Sequence, residues 1–279
     1  MTTAYLNGQF LPLEQAQVPA LDRGFLFGDG VYEVIPVYGR RPFRLDRHLA
    51  RLQNSCDGIR LVNPHTATEW QTLVGELISR QDFADQNLYL HVTRGVARRD
   101  HAFPAKAPST IFMMSNPLVT PTPEQFEAGV SAVTTADNRW LRCDIKSIAL
   151  LANVLLRQVA VDAGATEAVL LRDGVLTEGA ASNILVVRGG VILAPRRDHL
   201  LLPGITYDTV IELARAHGMP IEVRDISEAE LRSADELWMT SSTKEILPIT
   251  RLDGAVVGSG RAGPIARTML AHYQALKAA

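Results

Sequence analysis

The stretch Arg139-Trp140-Leu141-Arg142-Cys143-Asp144-Ile145-Lys146-Ser147 sets a lysine among apolar and aromatic residues, and an apolar run over 148–161 follows at once. Burying an ammonium is costly unless the charge is paired or neutralised. A lone lysine in such a setting can snorkel to solvent from a strand end. A desolvated amine has a second outlet, because it can form a Schiff base with an aldehyde. Further on, Leu176-Thr177-Glu178-Gly179-Ala180-Ala181-Ser182-Asn183 places one carboxylate among small residues, in a tight turn between two strand-like runs.

Working outward, residues 31–38 and 89–96 are rich in β-branched and aromatic side chains and read as strands. Leu45, Leu49, Leu52, Cys56 and Ile59 recur at helical spacing and share one face. Asn116-Pro117-Leu118-Val119-Thr120-Pro121-Thr122-Pro123 is a semi-rigid, proline-rich connection. It divides the chain into an N-terminal domain over 1–116, a linker over 117–123 and a C-terminal domain over 124–279. Beyond the linker come strands near 130–134, 168–171, 184–187 and 191–193, and helices near 148–163, 207–217 and 263–276. Strands and helices mix without regular βαβ alternation, so the fold class is α+β.

Composition narrows the function classes. The 279 residues carry 28 basic and 30 acidic side chains, so no net charge favours nucleic acid or an anionic membrane. No apolar run approaches a membrane span. The start, Met1-Thr2-Thr3-Ala4-Tyr5-Leu6, has no secretory pattern, and Cys56 and Cys143 lie far apart, which together point to a reducing cytoplasm. Seven scattered histidines offer no zinc-type spacing, so no metal is expected.

Lys146 for an aldehyde and Glu178 for a pyridinium are the two requirements of a pyridoxal 5'-phosphate site. The phosphate then needs donors. Leu202-Pro203-Gly204-Ile205-Thr206 runs into the helix over 207–217, with Thr206 as the expected N-cap. Thr240-Ser241-Ser242-Thr243 gathers hydroxyls at a strand end, and Arg51 lies off the apolar face of its helix. Taken singly, these are a capped helix, a solvated turn and a surface arginine.

Together, in this order, they resemble the class IV (fold type IV) pyridoxal phosphate aminotransferases. The likeness spans nearly the whole chain and also takes in Asp22-Arg23-Gly24, Phe27-Gly28-Asp29-Gly30-Val31-Tyr32-Glu33 and Arg47-His48-Leu49-Ala50-Arg51-Leu52. The resemblance implies a two-domain fold, with a small N-terminal α/β domain and a larger C-terminal domain of mixed strands and helices. It makes Lys146 the Schiff-base lysine and Glu178 the partner of the pyridine nitrogen. Arg51, Ile205, Thr206, Ser241 and Ser242 then hold the phosphate, and Leu202 packs on the ring.

Within that family the chain looks most like the D-amino-acid aminotransferases. The segment Arg98-Arg99-Asp100-His101 has their Arg-x-His pair, so Arg99, His101 and Tyr32 are the expected grip on a substrate carboxylate. The implied reaction moves the amino group of a D-amino acid, such as D-alanine or D-glutamate, to a 2-oxo acid, 2-oxoglutarate or pyruvate, in a homodimer whose loop crosses to the neighbouring subunit. A branched-chain L-amino-acid aminotransferase and an aminodeoxychorismate lyase are the alternatives on the same fold. A non-catalytic cofactor-binding or scaffold protein is the alternative of a different class. Ala180 and Ala181 stand where the family has serines, and Tyr207 where it has arginine, which bears on substrate range and cofactor grip.

Overall fold

Alternating apolar and polar residues with short polar turns build the first sheet. The computed structural model describes residues 2–278. In it, Thr3–Leu6 (β1), Gln9–Pro12 (β2), Gly30–Tyr38 (β3), Arg41–Pro42 (β4), Gln86–Thr93 (β5) and Thr110–Pro117 (β6) pair in the order β2-β1-β6-β5-β3-β4, all antiparallel. Three helices accompany this sheet: Arg23–Phe27 (α1), Leu45–Gly58 (α2) and Ala67–Ser79 (α3). As the spacing predicts, Leu49, Leu52 and Cys56 of α2 are buried against Val31, Ile35 and Leu90, with Leu45 and Ile59 packed at the edge. Thr66 and Glu69 form a capping box that starts α3 and so fixes where Trp70 enters the same core.

The second sheet is mixed. Val130–Ala136 (β7), Glu167–Arg172 (β8), Val175–Gly179 (β9), Asn183–Arg188 (β10), Val191–Ala194 (β11), Ile221–Val223 (β12), Glu236–Ser241 (β13) and Glu245–Leu252 (β14) run in the order β12-β11-β10-β13-β14-β7-β8-β9. Ala255–Val256 (β15) pairs with β14. The pairs β11–β12, β14–β7 and β7–β8 are parallel. Its helices are Pro123–Ala128 (α4), Leu151–Asp162 (α5), Ile205–Ala216 (α6), Glu228–Arg232 (α7) and Pro264–Ala278 (α8). The Glu236 carboxylate accepts the Ile265 and Ala266 N–H groups and so caps α8 from the neighbouring strand. Two sheets of this kind with segregated helices make the fold α+β.

The chain forms two compact units. The first runs to Val119 and takes back Ile145–Leu150; the second comprises Thr120–Asp144 and the chain from Leu151 on. Lys146 therefore belongs with the first sheet, whereas the sequence reading sets it within 124–279.

Three local expectations shift. The strand expected over 89–96 ends at Thr93, because the next residues leave the ladder: Arg94 N–H bonds to the Asp29 carbonyl and Gly95 takes φ +83°. A Cβ at Gly95 would collide with the Pro108 carbonyl, so the bend requires glycine. The helix expected from 148 starts at Leu151, since Ser147 is bridged to Val31 and the Ile148 N–H is taken by the Gly30 carbonyl. Thr206 is not the N-cap of α6; Gly204 is, and Thr206 lies in the first turn.

Candidate active site

In the first unit the backbone around Lys146 is fixed from several sides. The Lys146 carbonyl accepts the Tyr32 N–H at 3.0 Å, and its own N–H donates to Ser55 Oγ at 3.1 Å. Ser147 Oγ accepts the Ala149 N–H at 3.0 Å. Lys146 is half-buried; its Nζ lies 4.2 Å from the centroid of the Tyr32 ring and has no acidic partner among the described residues. Tyr32 and Lys146, both selected from sequence, are thus brought together. The pairing of β3 with the Lys146 segment is what does it.

Arg51 is also in this unit, but not as expected. It is buried rather than off the apolar face, and its Nε and Nη2 each donate to the Glu33 carboxylate at 2.8 Å. His48 Nδ1 meets the same carboxylate at 2.7 Å. Burial alone would raise the Glu33 carboxyl, but Arg51 and His48 overcome it and hold the group at about 2. Burial lowers His48, so the ring is neutral and donates its Nδ1 proton to Glu33. Glu33 is a residue that sequence reading passed over.

Arg99 and His101 sit on the exposed loop after β5. The Arg99 guanidinium lies 5.4 Å from the Phe27 ring centroid, and the His101 ring centroid is 5.4 Å from that of Phe27. Arg23 is buried on α1 and holds the loop by its backbone. Its Nη1 donates to the Asp100 carbonyl at 2.6 Å and to that of Ala102 at 3.3 Å, while its Nε binds Asp29 at 2.7 Å.

In the second unit Glu178 lies near the end of β9 in a buried polar cluster. One carboxylate oxygen accepts Arg139 Nη1; the other accepts Asn183 Nδ2 at 3.1 Å and the Leu202 N–H at 3.2 Å. Arg139 also donates through Nε and Nη2 to Asp137 at 2.9 and 2.8 Å. Thr177 Oγ1 donates to Asp137 at 2.9 Å, and Arg172 closes a second ion pair with it at 3.1 Å. Burial pushes the Glu178 carboxyl up to about 7, against the pull of Arg139 and the Leu202 N–H. Asp137, with two arginines, is held at about 2. The pair Arg139–Glu178 is therefore what opposes neutralisation of Glu178.

Gly204 caps α6 without a side chain, so no side-chain oxygen of the cap occupies the first-turn N–H groups of Ile205 and Thr206. A Cβ at Gly204 would run into Asn183 Oδ1, the amide that also grips Glu178 and the Leu202 carbonyl. Ser241 closes β13 and its Oγ accepts the Lys244 N–H at 3.1 Å; Ser242 follows in the turn. Tyr207 turns away into the core, donating its hydroxyl to the Pro195 carbonyl at 2.5 Å. Ala180 packs in a small core with Leu156, Ala160 and Leu170, and its N–H bonds to Ala168 and Glu167.

Sequence reading missed Arg139 and Asp137. Arg139 stood in the segment already singled out, beside Arg142, and no local pattern separates the two. Burial does: Arg139 is enclosed and Arg142 is exposed.

Comparison with known proteins bears on the whole chain. Residues 30–252 match the family model described as Amino-transferase class IV. The D-alanine aminotransferase of Bacillus licheniformis is 41% identical over 94% of this chain and 93% of its own length. That of Listeria monocytogenes is 40% identical over 93% and 91%. Among solved structures, the branched-chain amino acid aminotransferase of Escherichia coli superposes with a TM-score of 0.92 at 26% identity, covering 98% of this chain and 94% of that one. The branched-chain aminotransferase of the archaeon Thermoproteus uzoniensis, solved with norvaline, gives 0.88 at 27%, covering 99% and 95%. A further branched-chain amino acid aminotransferase, solved with pyridoxamine 5'-phosphate, gives 0.90 at 28%, covering 98% and 93%.

Proposed function

We propose, for a chain that belongs to amino-transferase class IV, that it transfers the amino group of a D-amino acid such as D-alanine or D-glutamate to pyruvate or 2-oxoglutarate. Identity of 41% to a D-alanine aminotransferase over 94% of the chain carries this reading, against 26% to the branched-chain neighbour of the same fold.

Its cofactor is pyridoxal 5'-phosphate, which supplies an electron sink for the carbanion formed at the substrate α-carbon. The residues fit that group. A half-buried amine without an acidic partner suits an aldehyde, a buried carboxylate suits a ring nitrogen, and a helix start without a side-chain cap suits a phosphate. Lys146 is assigned the covalent link to the aldehyde, and Glu178 the pyridine nitrogen. Ile205, Thr206, Ser241, Ser242 and Arg51 are assigned the phosphate, and Leu202 the ring face. For Arg51 that role runs alongside its bonds to Glu33.

Lys146 Nζ would serve as the base that takes the proton from the substrate α-carbon and as the acid that delivers it to the C4′ carbon of the cofactor. Tyr32 lies beside that amine and lends it an aromatic face. Arg139, Asn183 and the Leu202 N–H all bind the charged form of Glu178, the form that would hold the ring nitrogen protonated. Arg99 and His101, with Tyr32, bind the substrate carboxylate.

A homodimer is part of the same proposal. Leu151, Val154, Leu155 and Val159 form an exposed apolar stripe along α5, an unusual face for water and a suitable one for a second copy. No helix among the described residues is long and apolar enough to cross a membrane. The unpaired thiols of Cys56 and Cys143 suit a reducing cytoplasm.

The deciding experiment assays D- and L-amino acids with and without a 2-oxo acid acceptor. Turnover of D-alanine that requires an acceptor is expected. Preference for L-leucine would assign the chain to the branched-chain activity, and acceptor-free release of pyruvate from aminodeoxychorismate would assign it to the lyase. Borohydride is expected to fix the cofactor on the peptide containing Lys146; fixation on Lys244 or Lys106 would overturn that assignment.

A further inference from the structure

Phe27 is an aromatic side chain that the reaction does not use directly, yet charged and ring groups converge on it. On one side is Arg23, its guanidinium carbon 4.8 Å from the ring centroid; Arg99 lies at 5.4 Å and the His101 ring at 5.4 Å. Arg23 and Phe27 are four residues apart on α1, which puts them on one face of its single long turn. That face addresses the loop in two ways. Arg23 takes the backbone carbonyls of Asp100 and Ala102, and Phe27 takes the side chains of Arg99 and His101.

Arg99 and His101 are exposed, and neither side chain forms an ion pair among the described residues. The Phe27 ring is the aromatic side chain that both approach. α1 itself is rigidly placed: Asp22 Oδ1 accepts the Gly24 N–H at 2.7 Å, and Asp22 Oδ2 accepts Thr110 Oγ1 at 2.5 Å. Asp29, just beyond the helix, binds both Arg23 and Arg94. A ring fixed in this way offers its face to cations without competing for an anion. A guanidinium resting on an aromatic face keeps its N–H edge free for a carboxylate.

We infer that Phe27 is the positioning residue for the carboxylate-binding pair, holding Arg99 and His101 in the orientation that receives the substrate. The inference rests on the assignment of those two residues to the substrate carboxylate. Its ring contacts Arg23, Arg99 and His101 and is not among the groups assigned to the cofactor or to proton transfer, so its loss acts on binding and leaves the proton transfer at Lys146 intact.

The test uses the holoenzyme and three variants at this position, Phe27→Leu, Phe27→Met and Phe27→Tyr, beside Arg99→Ala. Phe27→Leu and Phe27→Met remove the π face and keep apolar volume, and are expected to raise KM for both D-alanine and pyruvate about three- to tenfold, with kcat within about twofold. Phe27→Tyr keeps the face and should restore wild-type KM. Proton NMR gives an activity-independent reading: the His101 imidazole resonances should lose their ring-current shift in Phe27→Met and keep it in Phe27→Tyr. Should Phe27→Leu fail to fold, Phe27→Met and the NMR comparison decide. Unchanged KM in Phe27→Met while Arg99→Ala raises it overturns the positioning role and leaves the carboxylate assignment standing. Unchanged KM in both Phe27→Met and Arg99→Ala overturns the carboxylate assignment and the inference with it. A fall in kcat with KM unchanged, or a KM that Phe27→Tyr does not restore, also overturns it.

Discussion

Glu178 shows how a buried carboxylate is set between two opposing pulls. Burial drives it toward the neutral acid, and Arg139 opposes that drive. Glu178→Gln preserves shape and loses the charge, so kcat should fall roughly a hundredfold with cofactor still bound, as when a pre-placed electrostatic group is removed. Wild-type kcat in that variant, measured on protein with its visible absorbance intact, would rule the role out. Arg139→Met leaves Glu178 buried without a guanidinium and Asp137 with that of Arg172 alone. Breaking such a pair costs about 3–5 kcal/mol, which a denaturant titration would read directly as a lowered midpoint. Neither residue is near the other in sequence, which is why only Glu178 could be picked out beforehand. Their meeting depends on where the segment preceding Lys146 lies against β9, and side-chain periodicity carries no such information.

At the level of elements, α2 was readable because its apolar residues repeat at one period and its stripe lies on the core. The start of α5 was not, since residues 148–150 obey a long-range constraint: their neighbour Ser147 is bridged to Val31. Local propensity favoured helix there, and the sheet edge overrode it. The same limit hid Glu33. It sits in a strand as an acid among apolar residues, and only the approach of α2 supplies Arg51 and His48. That triad predicts a pH response. The folded His48 is lowered from 6.5 and the folded Glu33 from 4.5 to about 2, so in both cases the unfolded chain takes up protons first. The stability contributed is therefore whole above 6.5, begins to fall below it, and falls more steeply from 4.5 toward 2. Thermal melts from neutral to acid pH should show this decline. Glu33→Gln should melt lower near neutrality, because Arg51 loses its bidentate partner, and should lose the steeper acid portion; an unchanged acid slope would contradict the assignment.

For the molecule as a whole, the apolar stripe on α5 and the exposed Arg99 loop are the features that an isolated chain leaves unexplained. In the proposed homodimer the loop serves a neighbouring subunit. Arg99→Ala should then raise KM for D-alanine and D-glutamate roughly ten- to a hundredfold, the value of a charge-assisted hydrogen bond. Lys146→Ala should be inactive. Mixed dimers of the two, with subunit exchange verified, should recover activity, since one of their two sites keeps both residues. No recovery would place loop and lysine in one subunit.

The return of Ile145–Leu150 to the first unit has a further consequence, for how such a protein can be recombined. The first unit is not a contiguous cassette. A fragment ending at Val119 would lack Ile145, which is buried in its core, and Ser147, which bridges its strand β3. Any chimera exchanging this unit with a relative must therefore carry two insertions, the long leading segment and the six residues around Lys146, into a host that supplies everything between. Crossovers placed only near residue 120 would join a lysine from one parent to a sheet from the other.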